Sequence, residues 1–335
     1  MISVIIPAYN AEKTIERAVR SAIHQIPDSE VLVVLNGCTD QTEDIVKKLS
    51  ETFLNVKLFH SEKGVSAARN KGIDQASGKW IMFLDADDYY EENTELALRS
   101  CIENPQIDLW IFGHKAGNEV RKVTDGPQPL IYEGARVLNA RVMMMENPTR
   151  YMQAWGKLYR ADIIKQNGLS FNTAMSLSED SDFTLHYTKY CFGIGFVSDV
   201  IYHYSLEDTS VMRQIDGKKV RGYIDAMEKT RDSISDEPEA IRTAFQTYVL
   251  MHMNIAMVRE VFAVGNKSSR KDKKTLMKQT ASEKIFAEAL AQTNKGKCFS
   301  LRMLPILFLK MHLDGCATLV YNTRAKQNAR REGQS

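Results

Sequence analysis

The sequence predicts an α/β fold: a mostly parallel sheet with helices on both faces, plus an α-helical C-terminal extension. Three observations lead there. Apolar, β-branched runs alternate with amphipathic segments through the first third of the chain, the order that builds parallel strands joined by helices. These runs are almost continuously hydrophobic, as strands buried on both faces are. From about residue 216 the strand pattern stops and apolar residues recur at helical spacing.

In order, "ISVIIPAY" reads as a strand and the stretch from Asn10 to Gln25 as a helix. Ile15, Ala18/Val19 and Ala22/Ile23 form its apolar face, with Asn10 as N-cap. "EVLVVLN" is a second strand. "TDQTEDIVKKLSETF" is a second helix, with Thr39 and Asp40 as cap candidates and Glu43 three residues beyond Asp40. "VKLFHS" (strand), "VSAARNKGIDQAS" (helix), "KWIMFL" (strand), "NTELALRSCIEN" (helix) and "DLWIFGH" (strand) continue the alternation. Residues 115–215 mix short helices with strands such as "GIGFVSDVIYHY". Helices are expected over 216–233, 237–262, 271–292 and 299–322, with a polar connection at Gly265–Lys274. The domains expected are 1–215, divided at 115/116, and a helical, basic 216–335.

The chain has 335 residues, of which 44% are hydrophobic and 26% charged, enough apolar content for a large core. Five scattered cysteines without a C-x-x-C pair make a zinc site or a disulfide framework a poor expectation and suit a reducing cytoplasm. The opening "MISVIIPAYN" reads as a strand and lacks the features of a signal peptide. The net charge of +2 hides an asymmetry: residues 266–335 hold 15 Lys and Arg against 5 Asp and Glu. Such a tail points to an anionic surface. "FSLRMLPILFLKMHL" (299–313) is too short and too interrupted to span a membrane. It could lie in a membrane interface or pack as an ordinary helix.

Ligands of open parallel sheets bind beyond the carboxyl ends of the strands. Those ends read Pro7-Ala8-Tyr9-Asn10, Asn36-Gly37, His60-Ser61 and Asp85-Ala86-Asp87-Asp88. Three carboxylates on one turn repel unless a cation sits among them. A hard cation such as Mg²⁺ or Mn²⁺ needs only one or two carboxylates when substrate phosphates complete its shell. Neither G-x-x-x-x-G-K-[ST] nor a G-x-G-x-x-G after the first strand is present, which removes the main support for a nicotinamide-binding reading.

"SVIIPAYN", "VVLNGCTD", "GVSAARNKGI" and "FLDADD" together resemble, in order and spacing, the nucleotide-sugar-binding half of glycosyltransferase family 2, inverting enzymes of the GT-A fold. "WGKLYRADII", "LSEDSDF" and "IYHY…TSV" resemble the acceptor half of its bacterial surface-polysaccharide members. The resemblance covers about residues 1–215. It implies a nucleoside-diphosphate sugar, with a UDP-sugar foremost, as donor, and a glycan or lipid-linked glycan as acceptor. It implies Pro7, Ala8 and Tyr9 around the nucleoside and Asp87 as ligand of Mn²⁺ or Mg²⁺. Asp85 becomes a ribose or metal partner, and Asp88 either a supporting carboxylate or a helix cap. Arg69 and Asn70 would lie near the donor, unless Arg69 pairs with the aspartates. In the E-D pair, Asp180 is the expected general base and Glu179 the acceptor-binding carboxylate, with Asp182 as fallback. Trp155 would wall the acceptor pocket, and His203 is a further metal candidate.

Two positions depart from the pattern. Leu35-Asn36 replaces the usual Asp-Asp, so Asn36 is expected to accept a base N–H through its amide oxygen. Ser205, with Ser210 downstream, stands where relatives carry a diphosphate-facing Arg; Arg213 or Lys157 could replace that cation. The expected place is the cytoplasm, peripheral on the inner membrane face, with no nucleic-acid partner and an oligomer left open. Two rivals stay in view: a nucleotidyltransferase using the same clamp, and a non-catalytic relative acting as a binding scaffold.

Overall fold

The computed structural model of the chain describes residues 1–206 and 217–331. The first part runs β1 (Ile2–Ala8), α1 (Ile15–Gln25), β2 (Ser29–Leu35), α2 (Thr42–Thr52), β3 (Val56–His60), α3 (Val65–Gln75), β4 (Trp80–Phe83), β5 (Tyr89–Tyr90), α4 (Thr94–Ile102) and β6 (Leu109–Ala116). There follow β7 (Glu119–Arg121), β8 (Leu130–Glu133), α5 (Val137–Glu146), α6 (Pro148–Tyr151), β9 (Lys157–Arg160), α7 (Ala161–Gln166), α8 (Glu179–Thr188) and β10 (Gly193–Tyr204). Helices then run α9 (Lys219–Ser233), α10 (Glu239–Ala256), α11 (Arg270–Ser282), α12 (Lys284–Gln292), α13 (Leu304–Lys310) and α14 (Asp314–Arg331).

The chain separates into two compact units. The first comprises 1–141, 149–174 and 179–205; the second comprises 142–148, 175–178 and the chain from Leu206 onward. The expected boundary at 215/216 lies outside the described residues, and the expected division at 115/116 falls at the last residue of β6.

The first unit is built on one sheet in the order β3-β2-β1-β4-β9-β6-β10-β5. β1 through β4 pair in parallel, as the continuous apolar runs require, and every residue of β1 and β2 is buried. The alternation continues to β6 as expected, but β9 inserts antiparallel between β4 and β6. The sheet is therefore mixed, with β10 again parallel to β6 through two irregularities at Val197–Tyr202. Bulges of this kind re-aim side chains, and here they precede Tyr202 and His203.

α3 lies unusually close to the sheet because Gly72 has no Cβ: one built there would stand 2.3 Å from Ile5 Cγ2. Asn10 does not cap α1, which starts at Ile15. Asn10 takes a left-handed φ of 47°, and its Oδ1 accepts from Thr39 N at 2.8 Å, tying two strand ends together. Asp40 does serve the start of α2, its Oδ1 accepting from Thr42 N at 3.1 Å.

In the second unit, two of the four expected helices are divided. Residues 271–292 break at Glu283 between α11 and α12, and 299–322 break at the 311–313 turn, where His312 has φ 58°. In α13 the side chains of Pro305, Ile306, Leu307 and Leu309 are buried, so this helix packs within its unit. No helix among the described residues is long and apolar enough to cross a membrane.

Candidate functional site

The carboxyl ends of β1, β2, β3 and β4 share one edge of the sheet, as parallel pairing dictates. At the end of β1, Pro7 and Ala8 are buried in a strand covered on both faces, and only Tyr9 presents its side chain, 47% exposed with Lys63 Nζ 5.2 Å from the ring centre. Asn36 is 5% exposed and acts as a brace: Nδ2 donates to Ala8 O at 2.9 Å, and Oδ1 accepts from Gly64 N at 3.3 Å. With no charge at 36, the side chain satisfies backbone groups where two strand ends converge.

The turn after β4 gives its three aspartates different surroundings. Asp85 and Asp87 are half-buried, whereas Asp88 is fully buried. Asp88 caps no helix, since α4 begins six residues later. Its Oδ2 accepts from Tyr202 Oη at 2.6 Å and its Oδ1 from Ser205 N at 2.7 Å. The same Tyr202 hydroxyl accepts from Asp85 N at 3.2 Å. Arg17 of α1 adds a clamp, donating to Asp87 O at 2.7 Å and Ser205 Oγ at 3.1 Å while lying over the Tyr89 ring. Tyr202 and Arg17 escaped sequence reasoning. The only signal for Tyr202 was its place in an aromatic strand end, and Arg17 looked like any exposed helix cation.

Arg69 joins this turn to the E-D pair. It is 3% exposed, held by the close approach of α3. Nη2 donates to Asp85 Oδ1 at 3.0 Å, and Nη1 donates to Asp180 Oδ1 at 2.5 Å and more weakly to Glu179 Oε1 at 3.4 Å. Its Nε is buried without a hydrogen-bond partner among the described residues. Asp180 Oδ2 accepts from Ala154 N at 3.1 Å. Asn70, beside Arg69, is turned away: its amide pairs twice with the backbone of Phe171. Asp182 is turned toward His186 of its own helix. Trp155 stacks on Tyr202, with ring centres 4.4 Å apart, and remains half-buried. His203 stacks on Tyr89 and pairs through Nδ1 with Glu91 at 2.7 Å, so it has its own carboxylate partner. Lys157 is 1% exposed and donates to Gln153 O, which withdraws it from any diphosphate role; burial lowers its amine to about 7, against the pull of Asp180. Arg213 and Ser210 lie outside the described residues.

Electrostatics separates this cluster from a structural carboxylate. Glu30, at the opposite end of the sheet, is also buried, yet hydrogen bonds from Lys57, Ser3 and Ser77 overcome that burial and hold it at about 2. Asp85 goes the other way, to about 6. Burial and the repulsion of Asp180 and Asp87 outweigh Arg69. Glu179 rises to about 7 through burial and Asp180, and Asp88 rises well above the carboxylate range through burial, Asp87 and Asp85. Carboxylates left short of positive charge mark a place that a cation would complete.

The donor set fits a hard cation. Asp88 is committed to Tyr202 and Ser205, Asp85 keeps the oxygen not bound to Arg69, and Asp87 flanks it on the same turn. Among the described residues no three His, Cys, Asp or Glu side chains are gathered about one point. Two carboxylates without a full cage is the arrangement a metal shared with substrate phosphates uses.

The chain is similar to known glycosyltransferases. Residues 3–163 match the glycosyl transferase family 2 profile. EpsH of Bacillus subtilis, described as a glycosyltransferase, is 26% identical over 321 residues, 93% of this chain and 92% of its own length. TarS of Staphylococcus aureus, a poly(ribitol-phosphate) β-N-acetylglucosaminyltransferase, is 32% identical over 212 residues, 61% of this chain but only 35% of its own length. Its crystal structure (residues 1–349, with UDP-GlcNAc) superposes with a TM-score of 0.65 at 22% identity, covering 99% of this chain and 92% of that one. The mannosyltransferase PcManGT from Pyrobaculum calidifontis, solved with GDP-Man and Mn²⁺, superposes with a TM-score of 0.54 at 14% identity, covering 99% and 85%. The structural likenesses establish a shared GT-A architecture.

Proposed function

The chain belongs to glycosyltransferase family 2 through residues 3–163, and from that premise we propose that it transfers a sugar, with inversion, from a nucleoside-diphosphate sugar to a hydroxyl of a growing surface glycan. UDP is the nucleotide we favour, since TarS was solved with UDP-GlcNAc. The observation that carries the reading is the Arg69 bridge. One buried guanidinium holds Asp85, on the donor turn, and Asp180, in the E-D pair, although 95 positions separate them. Displacement in one step needs these two functions side by side: a carboxylate for the attacking hydroxyl's proton and a charged site for the departing diphosphate.

In this reading Tyr9 lies against the nucleoside, and Asp87 with Asp85 holds Mn²⁺ or Mg²⁺. The metal, when bound, neutralises charge developing on the diphosphate. Asp180 accepts the acceptor's proton; Arg69 and the Ala154 amide keep its carboxylate oriented. Glu179, held only weakly by Arg69 through Oε1 at 3.4 Å, binds the acceptor beside Trp155. Family membership favours sugar transfer over nucleotidyl transfer. The name of TarS, a poly(ribitol-phosphate) transferase, supports a polymer acceptor, and the basic C-terminal region suits a peripheral place on an anionic membrane. The test is Asp180→Asn. Transfer should fall by at least ~10²-fold, the scale of a lost general base, while UDP–Mn²⁺ binding persists; unchanged turnover would remove Asp180 from the role.

A further inference from the structure

The second unit carries an exposed apolar pair that its packing does not explain. Phe299 and Leu301 are 75% and 85% exposed. They are not loose ends of a core, because their neighbours on both sides are fixed inside it. Cys298 is fully buried with its thiol on Asn294 O, and Met303 is 2% exposed. The backbone between them is held as well: Arg324 of α14 donates to the carbonyls of Leu301 and Arg302, and Asn254 Nδ2 donates to Arg302 O at 3.2 Å. Two large apolar side chains are thus displayed outward on a braced loop.

Charge says what would cover them. The sequence places Lys295, Lys297 and Arg302 within four positions of the pair, in a region of 15 basic and 5 acidic residues. A protein groove would have to be both apolar and acidic to match. An anionic lipid surface supplies both properties over any area, with acyl chains for the rings and branches and headgroups for the cations.

We propose that the Phe299–Leu301 loop is a wedge that docks the chain on an anionic bilayer, Phe299 and Leu301 entering the headgroup boundary, with the basic charge of the surrounding sequence favouring anionic headgroups. The proposal deepens the membrane-facing reading above but is independent of the transfer chemistry. It also moves the contact from α13, whose apolar side is packed inside its unit, to the loop before it.

The test is co-sedimentation of the full chain with vesicles of phosphatidylglycerol and phosphatidylcholine, against phosphatidylcholine alone. The native chain should bind only the anionic vesicles, less tightly as salt rises. The double variant Phe299→Ser/Leu301→Ser should lose about a hundredfold in partitioning, since each side chain removed from the interface is worth about an order of magnitude. UDP binding and the melting curve should not change, as both side chains are solvent-exposed. Equal binding of the variant, or no anionic binding by the native chain, overturns the wedge. So does a native oligomer that the double variant dissociates, because the pair would then be a protein–protein contact. Failure of UDP binding in the native chain bears on the donor reading alone.

Discussion

Replacing Arg69 by Met keeps the bulk over the Phe171 ring and removes the charge from three carboxylates. Stripping one partner from a buried ion pair costs about 3–5 kcal/mol. Asp85, Glu179 and Asp180 keep 15–27% of their side-chain exposure, so solvent relieves part of this and about 3 kcal/mol is the better figure. For a unit of this size roughly 2–4 °C is lost per kcal/mol, a fall of about 6–12 °C in the melting temperature of the first unit at pH 8. The pH dependence identifies the cause. Asp85 at about 6 and Glu179 at about 7 bind protons more tightly folded than unfolded. Their contribution to stability therefore declines as pH rises from about 4 through 6 and 7. At pH 5 both are largely protonated in the fold, and the loss of Arg69 should fall to about half. Calorimetric or fluorescence melts of native and Arg69→Met chains at pH 5 and pH 8 measure the difference. An equal drop at both pH values would refute the electrostatic role and leave Arg69 as a packing residue.

Asp87→Ala should abolish the metal dependence of UDP binding seen by titration calorimetry; a native chain that binds UDP equally with and without Mn²⁺ defeats the clamp. Tyr202→Phe removes the hydroxyl that serves Asp88 Oδ2 and Asp85 N, at a cost of about 1–3 kcal/mol for the buried groups left short. It should also weaken Mn²⁺-dependent UDP binding by loosening the turn, and unaltered stability in urea would count against Tyr202 as its anchor.

The parts of this protein legible in its sequence are those with local causes. Apolar runs on both faces of a strand specify parallel pairing, and crowded aspartates at the end of one single out a candidate site. The ordered motifs then identify the family. Asp85, Asp87, Asp180 and Arg69 stand out in the sequence as candidates because each residue type suits the proposed chemistry. Residue type alone does not place Asn36, Asn70 and Lys157: their hydrogen-bond partners lie 28 residues away at Ala8 and Gly64, 101 residues away at Phe171, and on the Gln153 carbonyl.

By itself the sequence determined the α/β alternation, the carboxylate turn and the basic tail, all set by hydrophobic period and local charge. Only the tertiary structure decided the antiparallel insertion of β9, the joining of Asp85 to Asp180 through one guanidinium, the anchoring of Asp88 by Tyr202, and the outward display of Phe299 and Leu301. The physical reason is common to all four. Pairing partners, burial and the relief of like charge are relations between residues far apart in the chain, and only folding brings them within reach of one another.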